Sequence, residues 1–244
     1  MSGAMSANGH PKLMLLLAVV LAAITARLGL WQLQRAEQKL DWHAQYVAQR
    51  ALPSLPPTQW PQSPQEAQAL THRMTHVSGR WDDKHTVYLE NRQMGGQPGF
   101  YVLTPLLMQD GTAVVVQRGW LPRDPLDRTR VVPPRELPPP HVVEGRIAPS
   151  VARLFEFDHV MTGPIRQNLD LASFSTEIGK SLRPFILIQE ASSGQSSDGL
   201  SRDWPQPSAG VHKHYGYAFQ WFALSILTIV LYVWFQILRP RRRA

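Results

Sequence analysis

The stretch Tyr215–Leu238, YGYAFQWFALSILTIVLYVWFQIL, decides the architecture of this chain, because it contains no charged residue. A helix rises about 1.5 Å per residue and the hydrocarbon core of a bilayer is about 30 Å thick, so roughly 20 apolar residues can cross it. The sequence therefore predicts a transmembrane helix near the C-terminus, and we place this second span at residues 214–238.

A second apolar stretch lies near the N-terminus. Leu13–Leu30 reads LMLLLAVVLAAITARLGL and is interrupted only by Thr25, Arg27 and small residues. A cleaved signal peptide is the alternative interpretation. Lys12 is the only charged residue before the stretch, and no clear small-x-small cleavage site follows Ala22-Ala23. These features favour an uncleaved first span, which we place at residues 12–34.

The distribution of basic residues predicts the orientation. The chain has a formal net charge of +7, and four arginines follow the second span directly: Arg239, Arg241, Arg242 and Arg243. Basic residues next to a span favour the cytoplasmic side. We therefore expect residues 1–11 and 239–244 to be cytoplasmic tails and the middle of the chain to be exported. We therefore expect the positive charge to lie next to the lipid bilayer, and we expect no nucleic-acid partner.

The chain between the spans predicts one β-rich domain. From about Thr71 the apolar pattern has the period of two that is typical of strands, and Gln109-Asp110-Gly111 marks a hairpin turn. We predict an antiparallel β-rich (α+β) domain over residues 65–195, either an open sheet or barrel-like. Residues 35–64 are predicted as a helical extension of the first span followed by a proline-rich linker, and 196–213 as a flexible return to the membrane. A short helix is expected over Asp170–Ile178, ended by Gly179.

The sequence offers little that is typical of an enzyme. It has no cysteine, and therefore no disulfide or thiolate site, and it lacks the common nucleophile-elbow and phosphate-binding glycine motifs. His72 and His76 have the spacing of a helical zinc pair, but they lie beside a predicted strand and no Glu accompanies them. Surface histidines are the better interpretation. We expect a protein that is not an enzyme, with a membrane-tethered periplasmic enzyme as the weaker alternative.

The outer ends of the two spans carry the most suggestive side chains. Two triplets have helical spacing: His214, Tyr217 and Trp221, and Arg27, Trp31 and Arg35. An imidazole, aromatic rings and guanidiniums together suit a planar, anionic, iron-bearing ligand. The alternative is ordinary anchoring at the membrane surface, where Trp, Tyr and Arg are all common. Spacing by itself does not decide between the two.

Several sequence blocks resemble one family. Gly29-Leu30-Trp31-Gln32-Leu33-Gln34-Arg35 is similar to the signature after the first span of the Surf-one (surfeit locus protein one) family. His214-x-x-Tyr217-Ala218-x-Gln220-Trp221-Phe222-x-Leu224 is similar to its second-span signature. Similar blocks lie between them: Asn91-Arg92, Pro98-Gly99-Phe100, Thr104-Pro105 and Val116-Gln117-Arg118-Gly119-Trp120. The resemblance covers residues 12–238.

The resemblance implies an assembly factor for haem-copper cytochrome c oxidase. Members of this family are thought to help deliver haem a to the catalytic subunit, so the implied partners are that subunit and other oxidase assembly factors. The implied axial ligand of the haem iron is His214, and the other implied cofactor-binding residues are Tyr217, Trp221, Trp31, Gln32 and Arg35. A scaffold that stabilises an oxidase intermediate without binding haem is the alternative.

Two residues depart from the family pattern. Lys213 stands where the family often has Asn, and Gln117 stands where it usually has Asn. Neither change removes an implied ligand. The short segment before the first span leaves no room for a mitochondrial transit peptide. The resemblance therefore implies a bacterial inner-membrane protein, with both termini cytoplasmic and the central domain periplasmic.

Overall fold

Two units make up the chain. The computed structural model describes residues 11–127, 130–135, 141–152, 154, 163–191, 198–205 and 210–239. One unit is Met1–Gln45 with Gln206–Ala244, and the other is Tyr46–Pro205. Of the predicted tails 1–11 and 239–244, residues 1–10 and 240–244 lie outside the described residues, and Pro11 and Arg239 are helical.

The α-helices of the described residues are α1 (Pro11–Ala51), α2 (Pro64–Ala69), α3 (Leu171–Ile178) and α4 (Val211–Val233). A π-helical turn, Trp234–Leu238, continues α4. The segments Lys12–Ala51 and Val211–Leu238 are each long and apolar enough to cross a membrane. The helix after the first span continues to Ala51, since residues 31–50 contain neither Gly nor Pro.

The strands of the described residues are β1 (Met74–Trp81), β2 (Val87–Met94), β3 (Gln97–Leu107), β4 (Ala113–Pro122), β5 (His141–Ala148), β6 (Ile165–Arg166) and β7 (Leu182–Gln189). Neighbours pair in the order β1-β5-β7-β4-β3, and β3 pairs again with β1 through Arg80–Leu107 and Trp81–Leu106. Five of these strands therefore close a barrel, and β2 and β6 extend the sheet beyond β3. The predicted fold, a β-rich domain between two apolar helices, is confirmed.

Two local predictions in this domain are confirmed. The predicted hairpin turn at Gln109-Asp110-Gly111 joins β3 to β4, and Gly111 has φ of 81°, a left-handed conformation that glycine adopts without strain. The short helix α3 begins where Asp170 accepts a hydrogen bond from the Ser173 amide at 2.9 Å. It ends at Gly179, which has φ of 62°.

The strand pairing is not purely antiparallel. β4 and β7 run parallel, as do β2 and β6. The β4–β7 pairing makes β4 a central strand whose residues are buried on both faces from Ala113 to Trp120. This explains its nearly continuous apolar sequence, which is typical of strands covered on both sides.

The barrel interior is filled by apolar side chains from all five of its strands. Contributing residues are Val77, Leu106, Val114, Val116, Val143, Ile147, Phe185 and Leu187. A second apolar cluster packs α3, through Phe174 and Ile178, against strand residues that include Val115 and Ile186. Since Val114 and Val116 point inward and Val115 outward, β4 separates the two clusters.

The proline-rich linker packs against the barrel. Leu55 and Trp60 are buried in the barrel core, and the Leu55 amide donates to the Met74 carbonyl at 2.8 Å. The Trp60 indole donates to the Thr75 hydroxyl at 2.8 Å. Residues 52–64 are predicted as a proline-rich linker from their composition, which does not reveal that Leu55 and Trp60 pack into the barrel core.

The predicted flexible return, residues 196–213, requires a correction over 198–205. Ser201 pairs with Trp120 of β4, Leu200 is buried, and the Trp204 indole donates to the Gln189 carbonyl at 2.7 Å. This segment is therefore docked on the barrel. Its Ser and Gly content suggested flexibility, but a few tertiary contacts dominate. Residues 192–197 and 206–209 lie outside the described residues.

Buried charges reinforce this docking. The Asp198 carboxylate pairs with Arg202 at 2.5 Å and with Arg118 at 3.9 Å, and all three side chains are at most 6% exposed. Arg118 also contacts Asp83 at 3.2 Å and lies over the Trp81 ring. Burial lowers the pKa of Arg118, and the two carboxylates oppose that shift. One carboxylate thus joins β4 to the returning segment.

Candidate functional site

The long helices α1 and α4 form an antiparallel pair. Near the start of α1, the Gln236 amide contacts the Met14 sulfur at 2.8 Å, and further along, the Ser225 hydroxyl donates to the Ala22 carbonyl at 2.9 Å. Further still along α1, Gln32 contacts His214. Rising positions on α1 meet falling positions on α4, so the two helices run in opposite directions.

Small residues line the surface where these helices meet. The partly or fully buried positions at this surface are Ala22, Thr25, Gly29, Gln32 and Ala36 on α1, and Val211, His214, Ala218 and Ser225 on α4. A Cβ atom on Gly29 would lie 2.7 Å from the Phe222 ring, so only glycine fits there without a shift. Small residues allow membrane helices to approach closely and to pack without a hydrophobic driving force.

His214 and Gln32 are the polar pair at this surface. The Nδ1 atom of His214 lies 2.8 Å from Oε1 of Gln32. An amide oxygen can only accept a hydrogen bond, so Nδ1 carries the hydrogen and donates it. In the neutral ring the lone pair is then on Nε2, the nitrogen that this contact does not use. A neutral imidazole with an accessible lone pair is a common metal ligand.

Four of the predicted residues flank this pair on one side. An α-helix turns by about 100° per residue. Around the axis of α1, Arg35 is therefore rotated away from Gln32 in one direction, and around the axis of α4, Tyr217 and Trp221 are rotated away from His214 in the same direction. In an antiparallel pair, flanks of the same sense are on the same side. Trp31 lies further from α4 around the circumference of α1, and it contacts the other residues through Arg35, whose guanidinium is 5.7 Å from the centre of the Trp31 ring. We call these residues the His214 face: His214, Gln32, Arg35, Trp31, Tyr217 and Trp221.

The exposure of the face suits a ligand at its surface. Trp31 is 46% exposed and Tyr217 49%, while His214 and Trp221 are partly buried. Arg35 contacts its own helix, donating to the Gln38 side chain at 2.9 Å. Arg27 is not part of the face. Four residues turn an α-helix by about 40° beyond a full turn, so Arg27, eight residues before Arg35, is rotated by about 80° from it and points away from α4.

The donors of the His214 face fit a haem. Its imidazole offers one nitrogen to an iron atom, its aromatic rings offer apolar surface to a flat macrocycle, and Arg35 offers a cation to a propionate. No side chain on the face carries a negative charge that would repel the propionates. Within the described residues, no group of three or more His, Cys, Asp or Glu side chains is arranged to hold a bare metal ion.

His72 belongs to a different cluster, in the barrel unit. Glu190 accepts hydrogen bonds from Arg50 at 2.7 Å and Arg146 at 2.9 Å, and both guanidiniums lie over the Tyr46 ring. The His72 ring meets the edge of Tyr46 at a centroid distance of 5.1 Å. Burial, and then the two arginines, lower the pKa of His72. The cluster ties the end of α1 to β5 and to the end of β7.

Comparison with known proteins decides the family. The model of the SURF1 family matches residues 19–226, which are most of the chain and the greater part of both long helices. This chain belongs to the SURF1 family. The resemblance seen in the sequence is thereby confirmed, and the family is an assembly-factor family generally associated with cytochrome oxidase assembly.

Bacterial relatives align over nearly the whole chain. A SURF1-like protein of Rickettsia felis is 26% identical over 226 residues, which is 89% of this chain and 94% of the relative. A SURF1-like protein of Rickettsia bellii is 24% identical over 86% of this chain and 85% of its own length. Surfeit locus protein 1 of Gallus gallus is 30% identical over 41% of this chain and 36% of its own length.

Sequence reasoning did not find the contact between Gln32 and His214, nor the small-residue surface behind it. The two residues are 182 positions apart, so only the pairing of the helices brings them together. A signal for that surface was present, since Ala22, Thr25, Gly29, Gln32 and Ala36 alternate spacings of three and four. Such spacing marks the face along which a helix packs on another.

Proposed function

We propose that this SURF1-family chain binds haem a through the His214 face and assists its insertion into the catalytic subunit of cytochrome c oxidase. The observation that carries the proposal is the position of His214. Its Nδ1 atom is engaged by Gln32, so its Nε2 atom is left to meet a ligand beside Tyr217, Trp221 and Arg35. The partners in this role are the catalytic subunit and other oxidase assembly factors.

Each residue type on the face has a separate task in this proposal. His214 would supply a nitrogen to the iron, Trp31, Tyr217 and Trp221 would cover the macrocycle, and Arg35 would pair with a propionate. A carrier must also release its cargo. A face that leaves two of its aromatic side chains about half exposed suits transient binding better than a closed pocket.

The direct test is the absorption spectrum of the protein purified in mild detergent. Protein from cells that make haem a is expected to carry haem a bands, and protein from cells that lack haem a is expected to gain them on titration. Cells without the gene are expected to contain less assembled oxidase. If the protein restores the oxidase while carrying and acquiring no haem, the non-haem scaffold is the correct function.

We further propose that both termini are cytoplasmic and that the barrel unit is periplasmic, in the inner membrane of a bacterium. The arginines at positions 239 and 241–243 support this orientation. Reporter fusions at the C-terminus are expected to behave as cytoplasmic, and fusions near Ser196 as exported. The reverse pattern would contradict the orientation, because it would place His214 at the cytoplasmic mouth of the membrane.

A further inference from the structure

The Gln32 side chain extends from the surface of α1 that meets α4. On α1 it lies between Gly29 and Ala36, two buried small residues at the surface that meets α4. Its amide oxygen reaches His214 at 2.8 Å. The family resemblance groups Gln32 with the cofactor-binding residues, but this contact gives it a different task, since its oxygen meets the imidazole.

The contact selects one state of the imidazole. A neutral histidine carries its hydrogen on either ring nitrogen, and only the other nitrogen can bind a metal. Because Gln32 accepts through oxygen, it favours the state with hydrogen on Nδ1 and the lone pair on Nε2. The same bond also limits rotation of the ring. Metal-binding histidines commonly donate their second nitrogen to such an acceptor, which orients the ring and raises its basicity.

We propose that Gln32 is a positioning residue: it does not touch haem but holds His214 with Nε2 presented to the iron. This inference rests on the proposed haem-binding function. The competing explanation is a purely structural hydrogen bond between two helices, which in membranes contributes modestly to their association. The two explanations differ in what they predict for the imidazole itself.

Two substitutions at Gln32 separate the explanations. Gln32→Met keeps the length of the side chain but removes the acceptor, and it is expected to weaken haem a binding by about 10–100-fold. Gln32→Glu keeps an acceptor and makes it stronger, so it is expected to retain haem. The matched control is Gln34→Met, the same chemical change at an exposed position of α1.

The decisive readout needs no haem. Nuclear magnetic resonance of the haem-free full chain, labelled in histidine, reports which ring nitrogen of His214 carries the hydrogen. The wild type and the Gln32→Glu and Gln34→Met variants are expected to hold it on Nδ1, whereas Gln32→Met is expected to lose that preference. In the haem-loaded protein, the iron–histidine stretching band should shift to lower frequency in any haem that Gln32→Met retains, and to higher frequency in Gln32→Glu.

The outcomes distinguish this inference from the proposed function. If Gln32→Met keeps the wild-type hydrogen position, haem affinity and iron–histidine band, the positioning role is wrong while haem binding stands. If Gln32→Met changes the helix pairing but leaves the band of bound haem unshifted, the contact is only structural. If the wild type holds the hydrogen on Nδ1 but never binds haem, the proposed function fails and the positioning role fails with it.

Discussion

Protein carrying His214→Ala is expected to show no haem a bands after purification, even from cells that make haem a. The substitution removes the imidazole proposed to bind the iron, and the His214 face holds no other histidine. Loss of the ligand should exceed the roughly 10–100-fold effect of removing a group that only orients it. Alanine favours helix formation, so α4 and its apolar span should be preserved.

His212→Ala is the matched control. His212 lies in the first turn of α4 and is exposed, whereas the sequence had suggested that it precedes the helix. The His212→Ala substitution makes the same chemical change two residues away, and the variant should retain haem. Arg35→Ala should give an intermediate result, since one partly hydrated ion pair contributes about 1 kcal/mol or less, equivalent to about fivefold in affinity. Full haem content in the His214→Ala protein would contradict the proposed ligand.

The Asp198→Asn variant is expected to lose about 3 kcal/mol of stability in the barrel unit. Asn has the shape of Asp but no charge, so Arg202 loses its ion-pair partner and Arg118 keeps only Asp83. Removing one partner of a buried ion pair typically costs about 3–5 kcal/mol, because the other charge stays buried. In a domain of this size that is a fall in Tm of roughly 10 °C, measurable by circular dichroism of the full chain in detergent.

Asp203→Asn provides the control for this experiment. Asp203 is exposed and only five residues from Asp198, so it makes the same change of charge outside the buried network. Its effect should stay within about 0.5 kcal/mol of the wild type. Equal melting of the Asp198→Asn and wild-type proteins would show that the network does not hold the returning segment on β4.

The sequence predicted those features that depend on neighbouring residues. Hydropathy located both long helices, the period of two located the β-rich domain, and glycines marked the hairpin turn at Gly111 and the end of α3. Each of these follows from local rules: the apolar length needed to cross a bilayer, alternation across a sheet, and the left-handed conformation that glycine tolerates.

The features that the sequence did not predict depend on distant partners. The parallel pairing of β4 with β7 and the docking of residues 198–205 are set by contacts between segments that local patterns describe separately. For the candidate site, helical spacing grouped His214 with Tyr217 and Trp221. It also placed Arg27 with Trp31 and Arg35, because it could not show which side of α1 faces α4.

The end of β7 shortens the effective connection between the two long helices. Glu190 binds Arg50 at the end of α1, and Gln189 accepts the bond from Trp204 just before the chain returns to α4. Once the barrel has folded, the connection of about 160 residues between α1 and α4 acts as a loop of about ten residues. This shortening equals four halvings of the loop length, which lower the entropic cost of closing the loop by about 2.5 kcal/mol. The barrel thereby raises the effective concentration of each helix for the other, so folding of the barrel unit favours the encounter of Gln32 with His214.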